Sequence, residues 1–176
     1  IKAIQHHIAI YAIHTALDNH YEGVSAILSN ALGLKKHRIL IPKQQTIHKL
    51  TTFVPAKNAE TVREALFAAG AGNIGNYSNC SFNTNGLGSF KGNENSNPTI
   101  GKKGEIHLEE ETQINVTYQK HLESRVLQNL LKSHPYEEVA YEIITLNNNN
   151  QHIGMGIIGE LYQPMSTTSF FNHIKT

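Results

Sequence analysis

His14 and Asp18 stand four positions apart in the stretch His-Thr-Ala-Leu-Asp, directly after the apolar run Ile8 to Ile13. An imidazole and a carboxylate at that spacing in a loop can converge on one cation. The carboxylate can bridge two metals and the imidazole cap one, and a metal pair activates a bridging water for hydrolysis. The place suits that chemistry, because open α/β sheets gather ligands and catalytic groups beyond the carboxyl ends of their strands. Asp18 serves equally as an ordinary loop or capping residue. Two donors alone fall short of a metal site.

The other candidates carry less. Most of the eleven histidines are expected at the surface. His6 and His7 are neighbours on a segment read as extended, so their rings point to opposite faces and share an ion only where the backbone bends. Gly70-Ala-Gly-Asn-Ile-Gly75 has the composition of a phosphate loop. A nucleotide fingerprint opens a helix after a strand, however, whereas this stretch closes a helix and leads into a strand. Its glycines read as turn residues at positive φ. His134-Pro135-Tyr136-Glu137-Glu138 follows a helix that Pro135 stops; it reads as a solvated turn, with an acidic contact patch at its glutamates as the alternative. Cys80 has no second Cys or paired His in range and reads as a small buried or half-buried thiol, not a nucleophile.

The elements that must position these residues follow from periodicity. Residues 8–13 read as a buried strand and 14–21 as a loop. Val24, Ile27, Leu28, Ala31 and Leu32 recur at helical spacing ahead of Gly33, which predicts a helix with a glycine just past its end. Arg38 to Ile41 reads as a second strand, stopped by Pro42.

A duplicated pattern follows, with a period of 63 to 64 residues. In the first copy, a strand at Thr51 to Val54 precedes a helix from Lys57 with Ala59, Val62, Ala65, Leu66 and Ala69 on one face, ending at Gly70. In the second, a strand at Gln113 to Tyr118 precedes a helix in which Lys120 and Glu123 repeat Lys57 and Glu60. There Leu122, Val126, Leu127, Leu130 and Leu131 form the matching stripe. Strands are predicted after each helix, at 76–82 and 139–146. Two such halves make a ferredoxin-like split β-α-β domain, and the Asn- and Gly-rich segment 83–104 reads as a hairpin tip and mobile loop. Asn147 to Asn150 reads as a linker, Ile153 to Leu161 as a strand, and Ser166, Thr167 or Thr168 as the cap of a last helix. The predicted class is α/β (α+β), with residues 1–47 and 150–176 as two pieces of one α/β domain that an insert at 48–149 interrupts.

Composition bounds the function. Across 176 residues, 39% hydrophobic and 16% charged side chains describe a globular chain. Fifteen basic residues against fourteen acidic, net +1, with clusters no larger than Lys35-Lys36 and Lys102-Lys103, leave no electrostatic footprint for nucleic acid or an anionic membrane. The apolar runs fall far short of the roughly 18 residues that span a bilayer. One cysteine cannot form an internal disulfide, which predicts a cytoplasmic location. Ile1 opens straight into a strand-like pattern with no initiator Met, which predicts an internal piece of a longer chain.

Several stretches together resemble the Nif-three-like family, catalogued as GTP cyclohydrolase I type 2 homologues. Ile8-Ala-Ile-Tyr-Ala-Ile-His-Thr-Ala-Leu-Asp18 resembles the family's strand and His-Thr-x-x-Asp segment. Gly72 to Phe82, Asn97-Pro-Thr-Ile-Gly101 and His134-Pro-Tyr-Glu-Glu-Val-Ala-Tyr141 resemble the inserted module of its longer bacterial members, and Gly154-Met-Gly-Ile-Ile-Gly-Glu160 resembles the return to the main domain. The resemblance implies a partial Nif-three-like α/β domain carrying a ferredoxin-like, CutA/PII-like insert. It also implies two divalent metal ions, with zinc, iron or manganese all compatible, and self-association as a trimer or hexamer.

Matched to the family's motif, Asp18 is a metal ligand and His14 the histidine beside it. His6 and His7 do not occupy the family's His-His pair, and its late His and Glu ligands lie beyond Thr176, so the metal site in this chain is incomplete. The implied function is a metal-dependent hydrolase of open substrate. The alternative is a regulatory protein whose PII-like insert binds a small molecule or nucleotide while the metal is structural.

Overall fold

A period of two runs through residues 107–119, where Thr112, Ile114, Val116 and Tyr118 are buried and the residues between them are half-buried. This strand organises the larger part of the chain. The structure, a computed structural model, describes residues 1–175. Its elements in chain order are α1 (Lys2–Gln5), α2 (Val24–Ala31), β1 (Leu34–Pro42), β2 (Ile47–Pro55), α3 (Ala59–Ala68), β3 (Phe82–Phe90), β4 (His107–Gln119), α4 (Glu123–Ser133), β5 (Tyr141–Leu146), β6 (Gly154–Leu161) and α5 (Thr167–His173). They form two units, one of residues 1–44 with 149 onward, the other of residues 45–148. The division falls before Ile47 because that residue already pairs with Gln119 and Leu146.

In the 45–148 unit the strands run β3-β4-β2-β5, every neighbour antiparallel. With a helix after β2 and another after β4, this is the ferredoxin-like order. Leu50, Val54, Ile114 and Val116 from the sheet meet Val62, Leu66, Val126 and Leu130 from α3 and α4 in one core. The duplication is visible in three dimensions. Val62 and Val126, and Leu66 and Leu130, stand at the same interval and are fully buried. Thr51 lies opposite Asn115 across the β2–β4 ladder and donates a hydrogen bond from Oγ1 to Asn115 Oδ1 at 2.9 Å. A local twofold axis therefore passes between these two residues.

The strand expected at 76–82 is instead β3, which begins at Phe82 and continues through Phe90. Residues 72–80 close on themselves: Cys80 N–H donates to Gly72 O at 2.8 Å, and Ile74 and Tyr77 exchange backbone hydrogen bonds. The long β4 then offers nine partner positions to the Asn- and Gly-rich residues that follow, and ladder pairing overrides their poor strand propensity. Only the residues between β3 and β4 form the loop, which is tied by Gly104 N–H to Gly92 O at 2.8 Å.

In the other unit β1 and β6 form a two-stranded antiparallel ladder from Leu34–Leu161 to Pro42–Gly154. Gly154 is required there, since a Cβ would overlap Ile41 O. Gly33 follows α2 at φ 70°, as a helix-ending glycine should. Ser166 Oγ accepts the Ser169 N–H and caps α5.

Two expectations fail in this unit. Residues 8–13 are not a buried strand: Ile10 and Tyr11 are 82% and 87% exposed, because among the described residues no neighbouring strand takes their backbone hydrogen bonds. The apolar stripe of α2 is also not buried. Ser29 is its buried residue, while Ile27 and Leu28 are exposed. A two-stranded ladder covers only a narrow strip of a helix. Among the described residues no helix is long and apolar enough to cross a membrane.

Candidate functional site

His14 directly precedes a turn over residues 15–19 and Asp18 lies within it, and both residues are exposed. The turn is fixed from within and from outside. Asn19 Nδ2 donates to Thr15 O at 2.8 Å, and Asn19 O accepts the N–H of Gly154 at 2.8 Å. His20 bridges Ile153 in the same place. The pair thus projects from a turn stapled to the start of β6, and no third ligand joins it. Among the described residues no three His, Cys, Asp or Glu side chains gather where they could hold a metal ion. A pair of divalent ions needs four or more donors each, so these residues alone do not fit the implied metal centre. His6 and His7 are exposed at the end of α1, with His7 at φ 54°.

Gly70, Gly72 and Gly75 all sit at positive φ in the turn that leaves α3, and none opens a helix. A different arrangement emerges around the His134 segment. The segment is solvated only in part: Glu137 and Glu138 are exposed, whereas His134 is only 7% exposed. Its Nε2–H donates to Phe53 O at 2.9 Å, and Nδ1 accepts the Tyr136 N–H at 3.1 Å. The neutral ring is used at both nitrogens. Burial accordingly pushes its pKa below the ordinary imidazole value, against a smaller opposing pull from the Phe53 carbonyl.

The unfolded chain therefore binds a proton here before the folded one does. The contribution of His134 to stability is complete above about pH 6.5 and is lost as pH falls from there towards the lowered folded value. Melting temperature measured from pH 8 to 5 is expected to fall on the acid side, and His134→Gln is expected to flatten that fall. An equal slope in the variant would assign it to other groups.

Beside this segment lies a cleft of about 710 Å³. Its floor is the sheet face turned away from α3 and α4, including Phe53, Glu111 and Gln113. Its walls are the loop after β3 and residues 135–140. Asn97 N–H donates to Glu137 Oε1 at 2.7 Å and Thr99 Oγ1 to Pro135 O at 2.8 Å, so the two walls hold each other. Tyr136 OH donates to Glu111 Oε1 at 2.8 Å. Burial first, and then the Glu111 carboxylate, hold that phenol far above its usual range, so it stays a donor. The Phe90 and Tyr136 rings meet edge to face at 5.7 Å.

Sequence reasoning missed Glu111, Phe90 and Tyr136 as site residues. The available signal was Gly86-x-Gly88, since glycines on one face of a strand mark a close approach. Gly86 lies opposite Glu111, and a Cβ on Gly88 would overlap Glu111 Oε2.

The Duf34/NIF3 (NGG1p interacting factor 3) family profile matches residues 1–176. A Halalkalibacterium halodurans protein named GTP cyclohydrolase 1 type 2 homolog is 43% identical over 175 residues, covering 99% of this chain and 47% of the relative. Its Bacillus subtilis namesake is 40% identical over 175 residues, with the same coverage. The crystal structure of a Bacillus cereus protein related to NIF3 aligns with a TM-score of 0.77 and 39% identity, over 99% of this chain and 46% of that one. The chain spans about half the length of the relatives it matches.

Proposed function

The chain belongs to the Duf34/NIF3 family, and from that premise we propose that the whole protein is a metal-dependent hydrolase with Asp18 and His14 among the ligands of a dinuclear centre. The observation that carries this reading is the stapled turn over residues 15–19, which holds Asp18 and directly follows His14, both exposed and with no other partner described for Asp18. Ligands from outside these residues complete the site, and the protein self-associates as a trimer or hexamer.

Elemental analysis of the full-length protein tests this. Asp18→Ala is expected to lose bound metal and hydrolytic activity together, because removing a carboxylate leaves the cations' charge poorly neutralised, while light scattering reports an unchanged assembly. His14→Ala is expected to lose less metal, and His6→Ala and His7→Ala none. Full metal in Asp18→Ala, or loss on replacing His6 or His7, would mean that the ligand assignment is wrong.

A second reading, a regulatory protein that binds a small molecule in its ferredoxin-like unit, is favoured by the cleft of about 710 Å³. That volume lies within the roughly 300–1,000 Å³ typical of small-ligand sites.

A further inference from the structure

We propose that the cleft of the ferredoxin-like unit binds a small organic cation, an amine or guanidinium compound with its charged end on Glu111 and its carbon chain over Phe53 and Phe90. This rests on the reading of that unit as a ligand-binding module and names the ligand's class.

The first argument is charge. Glu111, Glu137 and Glu138 line the cleft, whereas Lys91 is the one cationic side chain on the lining among the described residues. Glu137 is held by Asn97, and Glu138 has no hydrogen-bond partner among the described residues. A phosphate or carboxylate ligand would be repelled. Of the three glycines on the lining, Gly86 and Gly88 lie inside β3, opposite Glu111 and Glu109, and not in a turn that presents successive N–H groups, while Gly92 stands alone in the loop beyond.

The second argument separates an organic cation from a metal ion. A divalent ion needs several oxygens converging at about 2.0–2.6 Å, and no three acidic or histidine side chains converge in that way among the described residues. Carboxylates drawn from a strand, Glu111, and from the facing wall, Glu137 and Glu138, suit a molecule with more than one positive group.

The third argument is the fixed position of Glu111. Its carboxylate lies against the backbone of Gly88, where any Cβ would overlap it, and it accepts the Tyr136 hydroxyl at 2.8 Å. One carboxylate oxygen is thereby held while the group as a whole remains part of the cleft lining. Phe90 and Tyr136 stand edge to face beside it. Aromatic faces near an anchored carboxylate favour ammonium and guanidinium groups through the ring quadrupole.

Titration calorimetry on the 176-residue chain with agmatine, which carries a guanidinium and an ammonium on a four-carbon chain, tests the proposal. Saturable binding is expected, weakened more than tenfold by Glu111→Gln and several-fold by Glu138→Gln. Amide shifts are expected around Phe90, Glu111 and Tyr136. Glu111→Gln retains an acceptor for Tyr136, so an unchanged melting temperature separates lost binding from lost folding. Binding of ATP at these residues without binding of agmatine would overturn the cation class and leave the ligand-binding reading standing. Binding of neither would overturn both.

Discussion

Leu66→Ala and Leu130→Ala are each expected to cost about 2–5 kcal/mol of stability. Both leucines are fully buried in the core of the ferredoxin-like unit. Truncation removes their transfer free energy and leaves a cavity that close-packed neighbours fill only in part. The two costs should also be similar, because the residues are equivalent under the local twofold that relates α3 to α4. Set against the 5–15 kcal/mol that holds a typical domain, either loss is severe. Urea unfolding measures it, and the double variant is expected to be non-additive, since the two sites belong to one packed cluster. A cost below about 1 kcal/mol at Leu130 would mean that α4 does not seal the core.

Glu123→Ala is expected to cost about 1–3 kcal/mol through polar atoms instead. One carboxylate oxygen of Glu123 accepts His48 Nδ1–H at 2.5 Å and the Tyr118 hydroxyl at 3.2 Å. His48 Nε2 in turn lies 3.3 Å from Thr145 Oγ1. His48 and Tyr118 are 5% and 2% exposed, so neither finds water easily when the carboxylate is gone. Burial, reinforced by Glu123, keeps the Tyr118 hydroxyl protonated far beyond the usual phenol range, which makes it a permanent donor in need of an acceptor. Glu123→Gln retains an acceptor and is expected to cost less than the alanine variant. Equal costs for the two would show that packing, not the hydrogen bonds, sets the value.

The ferredoxin-like unit was legible because its signals are local and repeated. Lys57 with Glu60 and Lys120 with Glu123 mark the same helix start twice, and Val62, Leu66, Val126 and Leu130 carry the helical period into one core. The errors occur where a partner decides the conformation. Residues 83–90 are poor strand formers, and their strand exists because β4 is long enough to pair them. Residues 8–13 have strand composition but, among the described residues, no ladder beside them, and the stripe on α2 meets too narrow a sheet. Both show that apolar periodicity marks a surface able to be buried and says nothing of what buries it.

The candidate sites divide in the same way. His14 and Asp18 were legible from spacing and resemblance. The cleft was not, because Glu111, Phe90 and Tyr136 come from three separate segments brought together only by the β3–β4 register and by the contact of residues 97–99 with 135–137. The Asn- and Gly-rich residues 83–104, which read as a hairpin tip and loop, do join the β3–β4 hairpin, but their first part is strand and their later part is tied to residues 135–137.

The two ends of the chain's long excursion are fastened. Asn150 N–H donates to Lys43 O at 3.0 Å and Lys43 N–H to Ile153 O at 2.9 Å, while Ile47 faces Leu146 across the first and last strands of the ferredoxin-like unit. To the β1–β6 ladder, the intervening hundred or so residues act as a floppy tether before they fold and as a short turn afterwards. Closing a loop costs about 0.6 kcal/mol more for each doubling of its length. Prior folding of residues 45–148 therefore relieves the ladder of about 3 kcal/mol of closure entropy. The insertion, once folded, serves as a hairpin turn for the domain it interrupts, and this gives the assembly of the chain a preferred order.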